Sequence, residues 1–248
     1  ERDDVPHFMF GEIDAAENFS VGRWLAAVAP LLARFEAEGR PVVLCGGTGL
    51  YFTAATQGLS DIPAVPDETR AAVRAELEGL APHEIYARVR VADPLTAARL
   101  RPSDPQRLTR ALEVFRATGR PLAAFQDARQ PPLLAPGTWR GVFLAVERDA
   151  LYARINRRFE AMMAAGALEE AAALGARGLD PALPAMRAHG APGLLAHLRG
   201  EMSLEEAVAK GQADTRHYAK RQYTWARHQL PGFSWAHDAS EAEAALTA

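Results

Sequence analysis

A basic and aromatic segment near the C-terminus is the feature of this sequence that most directly suggests chemistry. Residues 216–227 hold four cations and three aromatic side chains, although the whole 248-residue chain has a formal net charge of -3. At 100° per residue two opposite helical faces emerge. One carries Arg216, Lys220, Tyr223 and Arg227, and the other carries Tyr218, Gln222 and Trp225. The pattern predicts a polyanion-binding helix, with an ordinary solvated basic face as the alternative.

A glycine-rich turn at residues 46–49 is a second candidate site. It follows the apolar run 41–45, which favours a buried parallel strand, and ligands bind at the carboxyl ends of such strands. The amides of Gly46 and Gly47 and the hydroxyl of Thr48 are suited to holding a phosphate at a helix start. The turn is neither a Walker A sequence nor a dinucleotide fingerprint. A phosphate site and a plain tight turn therefore both stay open.

Two further helices carry arginines in positions that suggest anions. Gln106, Arg107 and Arg110 lie near the start of a helix, where cations are unfavourable unless an anion is present. Arg158 lies at the margin of the apolar stripe of another helix, which predicts a partly buried guanidinium next to an anion. Nucleic-acid or ligand phosphates satisfy both patterns. Solvated arginines and a structural ion pair are the alternatives.

Composition excludes several classes of protein. The one cysteine excludes an internal disulfide and a structural zinc site. No apolar run reaches the roughly 18 residues of a membrane span, which favours a cytoplasmic protein that does not contact a membrane. The histidines do not form a zinc-protease pattern, no serine nucleophile elbow occurs, and no general base is evident. Because all but two of the 28 cationic residues are arginine, one arginine alone is weak evidence for phosphate binding.

The order of the predicted elements indicates an α/β protein with a helical insertion. Strands are predicted at 41–45 and 139–146. Helices are predicted at 19–38, 67–80, 82–92, 96–100, 105–118, 150–166, 168–177, 191–199, 203–208 and 214–229. Proline-rich segments at 62–66 and 130–132 are plausible hinges. The predicted domains are an α/β core formed by residues 1–63 and 134–248, and an all-helical insertion at 64–133.

Six segments, taken in order, resemble the tRNA dimethylallyltransferase family, also called tRNA isopentenyltransferases. The segments are residues 5–7, 19–23, 46–51, 104–113, 186–190 and 215–225. The resemblance covers nearly the whole chain. It implies a P-loop NTPase-like, nucleotide-binding parallel-sheet core, truncated at its N-terminus, with an all-helical insertion domain.

The resemblance also implies an activity and a set of site residues. The family transfers a dimethylallyl group from dimethylallyl diphosphate to N6 of the adenosine 3′ of the anticodon, with Mg²⁺ assisting, and a cytoplasmic monomer is expected. The diphosphate contacts implied for this chain are Gly46, Gly47, Thr48 and Arg158, of which Thr48 and Arg158 are also the implied catalytic residues. The implied contacts to the tRNA anticodon stem-loop are Gln106, Arg107, Leu108, Thr109, Arg110, Arg187, Thr215, Arg216, Lys220, Arg221 and Gln222.

The chain departs from the family pattern in two places. The family's phosphate loop, and the aspartate that serves as its base, would precede residue 1, so we expect residues 1–248 to be inactive alone. Residues 189–192 read His-Gly-Ala-Pro where the family usually has Gly-Tyr-Arg. The alternatives to the transferase are a non-catalytic RNA-binding module and a truncated P-loop-type nucleotide kinase.

Overall fold

Two compact units form the part of the chain that a computed structural model describes, which is residues 5–126 and 129–247. The first unit, here the mixed unit, comprises Glu1–Ala55 and Leu134–Ala248, and the second, the helical unit, comprises Thr56–Leu133. The predicted insertion started at residue 64. Every helix in the described ranges is too short or too polar to span a bilayer.

Helices dominate both units. In chain order they are α1 (Val21–Ala37), α2 (Gly49–Gln57), α3 (Asp67–Leu77), α4 (Pro82–Ala92), α5 (Pro94–Ala97), α6 (Pro105–Thr118), α7 (Ala123–Gln126), α8 (Arg148–Ala164), α9 (Ala167–Ala176), α10 (Ala191–Leu198), α11 (Leu204–Gln229) and α12 (Ala239–Thr247). A 3-10 turn covers Ala185–Arg187, and the strands are β1 (Gly141–Leu144) and β2 (Phe233–Ala236).

Side-chain caps start several of the helices. The hydroxyl of Ser20 accepts a hydrogen bond from the Arg23 amide at 3.2 Å, and the carboxylate of Asp104 accepts one from the Arg107 amide at 3.1 Å. Each cap satisfies a backbone donor that the first turn leaves unpaired. These local interactions explain why α1 begins within two residues of its predicted start and why α6 has the predicted bounds.

The two strands pair in parallel. Gly141 lies opposite Phe233 and Leu144 lies opposite Ala236. A Cβ atom at Gly141 would lie 2.8 Å from the Phe233 ring, so the first residue of β1 must be glycine for the strands to approach. The predicted strand at 139–146 is confirmed as β1. β2 was not predicted, because four residues give too short a pattern.

The prediction of a strand at residues 41–45 is wrong. This run pairs with no other strand in the part of the chain that the structure describes, and Val43 is 80% exposed. A β-strand exists only where a neighbour satisfies its backbone donors and acceptors. Apolar composition alone therefore did not determine its conformation.

Helix α11 is one continuous helix of 26 residues, where two shorter helices were predicted. Gly211, in the gap between those two, is buried inside α11. A Cβ atom at this position would lie 2.4 Å from the Phe159 ring of α8. Gly211 is therefore a packing position and does not interrupt the helix.

The helical unit surrounds an apolar core that includes Leu108 and Leu112 of α6, as their helical spacing predicted. A fully buried carboxylate, that of Asp93, ties this unit together. One oxygen of Asp93 accepts from the Thr96 amide at 2.9 Å, and the other accepts from the Leu122 amide at 3.0 Å. These bonds join the start of α5 to the segment that leads into α7.

We expect Asp93→Ala to lower the free energy of unfolding by about 2 kcal/mol or more, since it leaves two buried amides unpaired. Asp67→Ala is the matched control, because the Asp67 side chain is 98% exposed. That control should cost less than about 1 kcal/mol. Urea denaturation measures both values. Equal stability of the two variants would show that the buried bonds contribute nothing.

Candidate functional site

The glycine turn that precedes α2 is held by side chains of α11. The carbonyl oxygen of Gly47 accepts hydrogen bonds from the Tyr218 hydroxyl at 3.0 Å and from the Gln222 amide nitrogen at 2.8 Å. A Cβ atom at Gly47 would lie 2.2 Å from that same Gln222 nitrogen. The turn therefore approaches α11 closely at Gly47, a contact that the sequence did not reveal.

A second glycine of the turn packs against the same helix. A Cβ atom at Gly49 would lie 2.2 Å from Cδ1 of Trp225. The Trp225 indole donates a hydrogen bond to the Thr53 hydroxyl of α2 at 3.2 Å. Gly49 thus lets α2 and α11 approach each other closely, and the Trp225 indole contacts α2 at both Gly49 and Thr53.

The remaining atoms of the turn are open to a ligand. A Cβ atom at Gly46 would meet nothing within 4 Å, and both Gly46 and Thr48 are exposed. The carbonyl of Thr48 accepts from the Tyr51 amide at 2.9 Å, so Thr48 lies at the N-terminus of α2. A helix N-terminus with free amides and a hydroxyl favours an anion. The geometry is therefore compatible with the predicted diphosphate contacts at Gly46 and Thr48.

The opposite face of α11 packs on α8 and on the segment before it. Arg216 is half-buried and donates to the Asn156 side-chain oxygen at 2.7 Å, and the Tyr223 hydroxyl donates to the Val146 carbonyl. Burial raises the pKa of the Tyr223 hydroxyl. The predicted division of this helix into two faces is confirmed. The face predicted to meet phosphates nevertheless uses two of its four members in packing.

Only some of the cations that the sequence places on α11 are therefore exposed. Lys220 and Arg221 are exposed, while Thr215 is half-buried and its hydroxyl donates to the Gly211 carbonyl at 2.8 Å. Arg187, at the end of the 3-10 turn, is exposed as well. Among the predicted RNA contacts, the exposed cations are therefore Lys220 and Arg221 on α11 and Arg187 outside that helix.

Arg158 is more exposed than its place on the apolar margin predicted. It makes no ion pair with any residue in the described ranges. Its neighbour Phe159 is buried because it fills the space beside Gly190 and Gly211. The prediction of partial burial is wrong, since the helix turns this guanidinium away from the contact that Phe159 makes. An exposed guanidinium remains able to bind a ligand phosphate.

Thr48 and Arg158 were predicted to face one pocket. A depression among the described residues of the mixed unit lies elsewhere, between the end of α11 and β2, where Arg227 and Trp235 line it. That Thr48 and Arg158 act on one anion stays a prediction.

In the helical unit, the arginines at the start of α6 have carboxylate partners. The Arg107 guanidinium lies 3.4 Å from a carboxylate oxygen of Asp104, and the Arg110 guanidinium lies 3.4 Å from one of Glu113. Leu108 is fully buried, so its side chain belongs to the core, and the predicted contact of this residue with RNA stays a prediction. Gln106 is exposed and Thr109 is half-buried. This segment therefore offers polar atoms along one edge of the helix start.

The described residues do not fit a magnesium ion held by the protein alone. No group of three or more histidine, cysteine, aspartate or glutamate side chains among them could hold a metal. The glycine turn itself carries no carboxylate, the ligand by which proteins usually hold Mg²⁺ next to substrate phosphates.

The mixed unit has an open, glycine-rich helix start, and a helix beside it exposes cations. This arrangement is typical of the class of proteins that bind phosphate-bearing ligands. Residues 1–229 match the family described as IPP transferase. A tRNA dimethylallyltransferase of Methylocella silvestris is 60% identical over 97% of this chain and 79% of its own length. One of Rhodopseudomonas palustris is 56% identical over 98% and 75%.

A solved structure indicates the same family. The tRNA isopentenylpyrophosphate transferase of Bacillus halodurans superposes with a TM-score of 0.62 at 31% identity, and the match covers 97% of this chain and 75% of that one. The chain belongs to the IPP transferase family. The predicted family and the P-loop-like core with a helical insertion are confirmed.

We expect Gly49→Ala to destabilise the protein by about 1–3 kcal/mol, because the added methyl group overlaps the Trp225 ring, which cannot move away cheaply. Gly46→Ala is the control, since its methyl group would enter open space. The midpoints of urea denaturation compare the two variants. A Gly49→Ala protein as stable as Gly46→Ala would show that the contact between α2 and α11 tolerates a side chain.

Proposed function

We propose that this protein transfers the dimethylallyl group of dimethylallyl diphosphate to N6 of the adenosine 3′ of the anticodon of tRNA. One observation carries the proposal. The glycine turn with the open N-terminus of α2 is held by Tyr218 and Gln222, on the same helix that exposes Lys220 and Arg221. A site for diphosphate and a surface for RNA are thus built on one element.

The reaction requires stabilisation of a departing anion. The N6 nitrogen attacks the allylic carbon, the carbon–oxygen bond breaks, and negative charge develops on the diphosphate. The amide of Gly46, the hydroxyl of Thr48 and the guanidinium of Arg158 are the groups that stabilise this charge. The proton released from N6 passes to water or to the departing diphosphate, because none of these three groups is a base.

The RNA must present one base to that site. An adenine cannot react while stacked, so the enzyme has to hold the stem while the base leaves the loop. Lys220, Arg221 and Arg187 supply exposed positive charge for this purpose. A contact of the neutral Gln106 side chain with RNA stays a prediction. A cytoplasmic location and action as a monomer stay predictions.

The decisive assay incubates the complete protein with labelled dimethylallyl diphosphate and an unmodified tRNA that has adenosine after the anticodon. Label should enter this tRNA and not a matched tRNA with guanosine at that position. Binding of tRNA without transfer would favour an RNA-binding module, and phosphorylation of a free nucleoside would favour a kinase.

Arg158→Ala should reduce turnover roughly 100- to 1000-fold, the loss typical of removing one donor to a developing anion. Its Kd for tRNA should change less than about twofold, because Arg158 is assigned to the diphosphate. Arg157→Ala is the matched control, an exposed arginine one residue away. Single-turnover rates and tRNA titrations separate the two quantities. A loss of tRNA affinity with unchanged turnover would reverse the role of Arg158.

Lys220→Ala should weaken tRNA binding and lower the slope of log Kd against log salt by about 0.7 to 0.9, the effect of one lost phosphate contact. The other lysine of the chain, Lys210, is also on α11 but is paired with Asp214 at 3.0 Å. Lys210→Ala should leave the slope unchanged. Titrations at several salt concentrations compare the two, and equal slopes would remove Lys220 from the RNA surface.

A further inference from the structure

Three side chains form a stack next to the glycine turn. The ring of His189 lies 4.7 Å from the ring of Tyr218, measured between centroids and at an angle of 44°. The guanidinium carbon of Arg221 lies 5.5 Å from the centroid of the Tyr218 ring. His189 and Arg221 are exposed, whereas Tyr218 is half-buried. We call these three residues the His189 stack.

The His189 stack is held rigidly from both ends. The Tyr218 hydroxyl is bonded to the Gly47 carbonyl at 3.0 Å, which ties the central ring to the glycine turn. The residue after His189 is Gly190, whose φ of 99° is a conformation that favours glycine. A Cβ atom there would lie 2.9 Å from the Phe159 ring. The backbone that carries His189 is therefore fixed against α8.

The imidazole nitrogens of His189 take part in no polar contact within the described part of the fold. It makes no hydrogen bond to another residue of the described ranges. Desolvation lowers the pKa of His189, and the charge of Arg221 lowers it further, which outweighs the opposite effect of Asp214. At neutral pH the ring is therefore uncharged. What His189 offers to a ligand is a flat, neutral face beside a guanidinium.

We propose that the His189 stack holds an unpaired base of the tRNA anticodon loop next to the glycine turn. Proteins recognise unpaired RNA bases by stacking them on aromatic rings and on guanidinium planes, and the His189 stack presents both. Arg221 also supplies positive charge beside the Tyr218 ring for the flanking phosphates. The inference rests on the proposed function, because it takes the tRNA as the ligand. It gives a role to His189, which lies in the segment where this sequence departs from the family pattern.

Affinity measurements with a tRNA anticodon stem-loop test the proposal. His189→Ala should raise the Kd roughly fivefold or more, the lower end of what a base stacked on an aromatic ring contributes. The salt slope should stay unchanged, since a neutral ring makes no phosphate contact. His189→Phe keeps a flat ring and should bind within about twofold of the unaltered protein. A weakened His189→Phe variant, or a reduced salt slope in His189→Ala, would overturn the stacking role.

A matched control comes from the same helix as Tyr218. His228 is exposed, lies about 15 Å further along α11, and takes no part in the His189 stack. His228→Ala should leave the Kd unchanged. Urea denaturation checks that His189→Ala folds, which we expect because the side chain is exposed and makes no hydrogen bond to a described residue.

A second measurement identifies the stacked base. Stem-loops with a single abasic nucleotide at successive loop positions are titrated against the unaltered protein and against His189→Ala. One position should matter for the unaltered protein and have no further effect in the variant, because both changes remove the same contact. Additive losses at every position would contradict the proposal.

These titrations need no catalysis, so the two proposals fail separately. If the protein transfers no label but shows the stacking pattern, the proposed function is wrong and the His189 stack stands as an RNA-binding site. If it transfers label and His189→Ala binds tRNA like the unaltered protein, only the stacking role is wrong. If the unaltered protein does not bind tRNA, both are wrong.

Discussion

Close approach of other backbone segments to helix α11 is the constraint on which the mixed unit depends. At Gly47, Gly49 and Gly211 an added Cβ atom would lie 2.2 to 2.4 Å from a side chain of a packed neighbour. Protein interiors are packed too densely to absorb such overlaps without displacing a whole element. Gly49 and Gly211 therefore set how closely α2 and α8 approach α11.

This packing separates residues that look alike in the sequence. The Arg216 guanidinium donates a hydrogen bond to the Asn156 side chain and stabilises the contact with α8, whereas Lys220, one helical turn later, is exposed. Gly47 serves the contact with α11, whereas Gly46 faces open space. A cation or a glycine is available to a ligand only if the fold has not already used it. The candidate site consists of the residues that are not engaged in packing between elements of the fold.

One helix positions both halves of the proposed reaction. Its Tyr218 and Gln222 hold the carbonyl of Gly47 and thereby the start of α2, while its exposed cations face the solvent from which the tRNA comes. A rigid element that holds two reactants in a fixed relation lowers the entropic part of the barrier. The His189 stack adds a third point on the same helix, through Tyr218.

The sequence by itself determined the family, the α/β class, the two faces of α11 and helix starts such as those capped by Ser20 and Asp104. These features depend on interactions within a few residues, or on patterns of residue types that need no knowledge of distant neighbours. Only the tertiary structure decided that residues 41–45 pair with no described strand, that Gly211 lies inside a helix, and which cations are exposed. Strand pairing and burial depend on residues far away in the chain, and local patterns carry no information about where those residues lie.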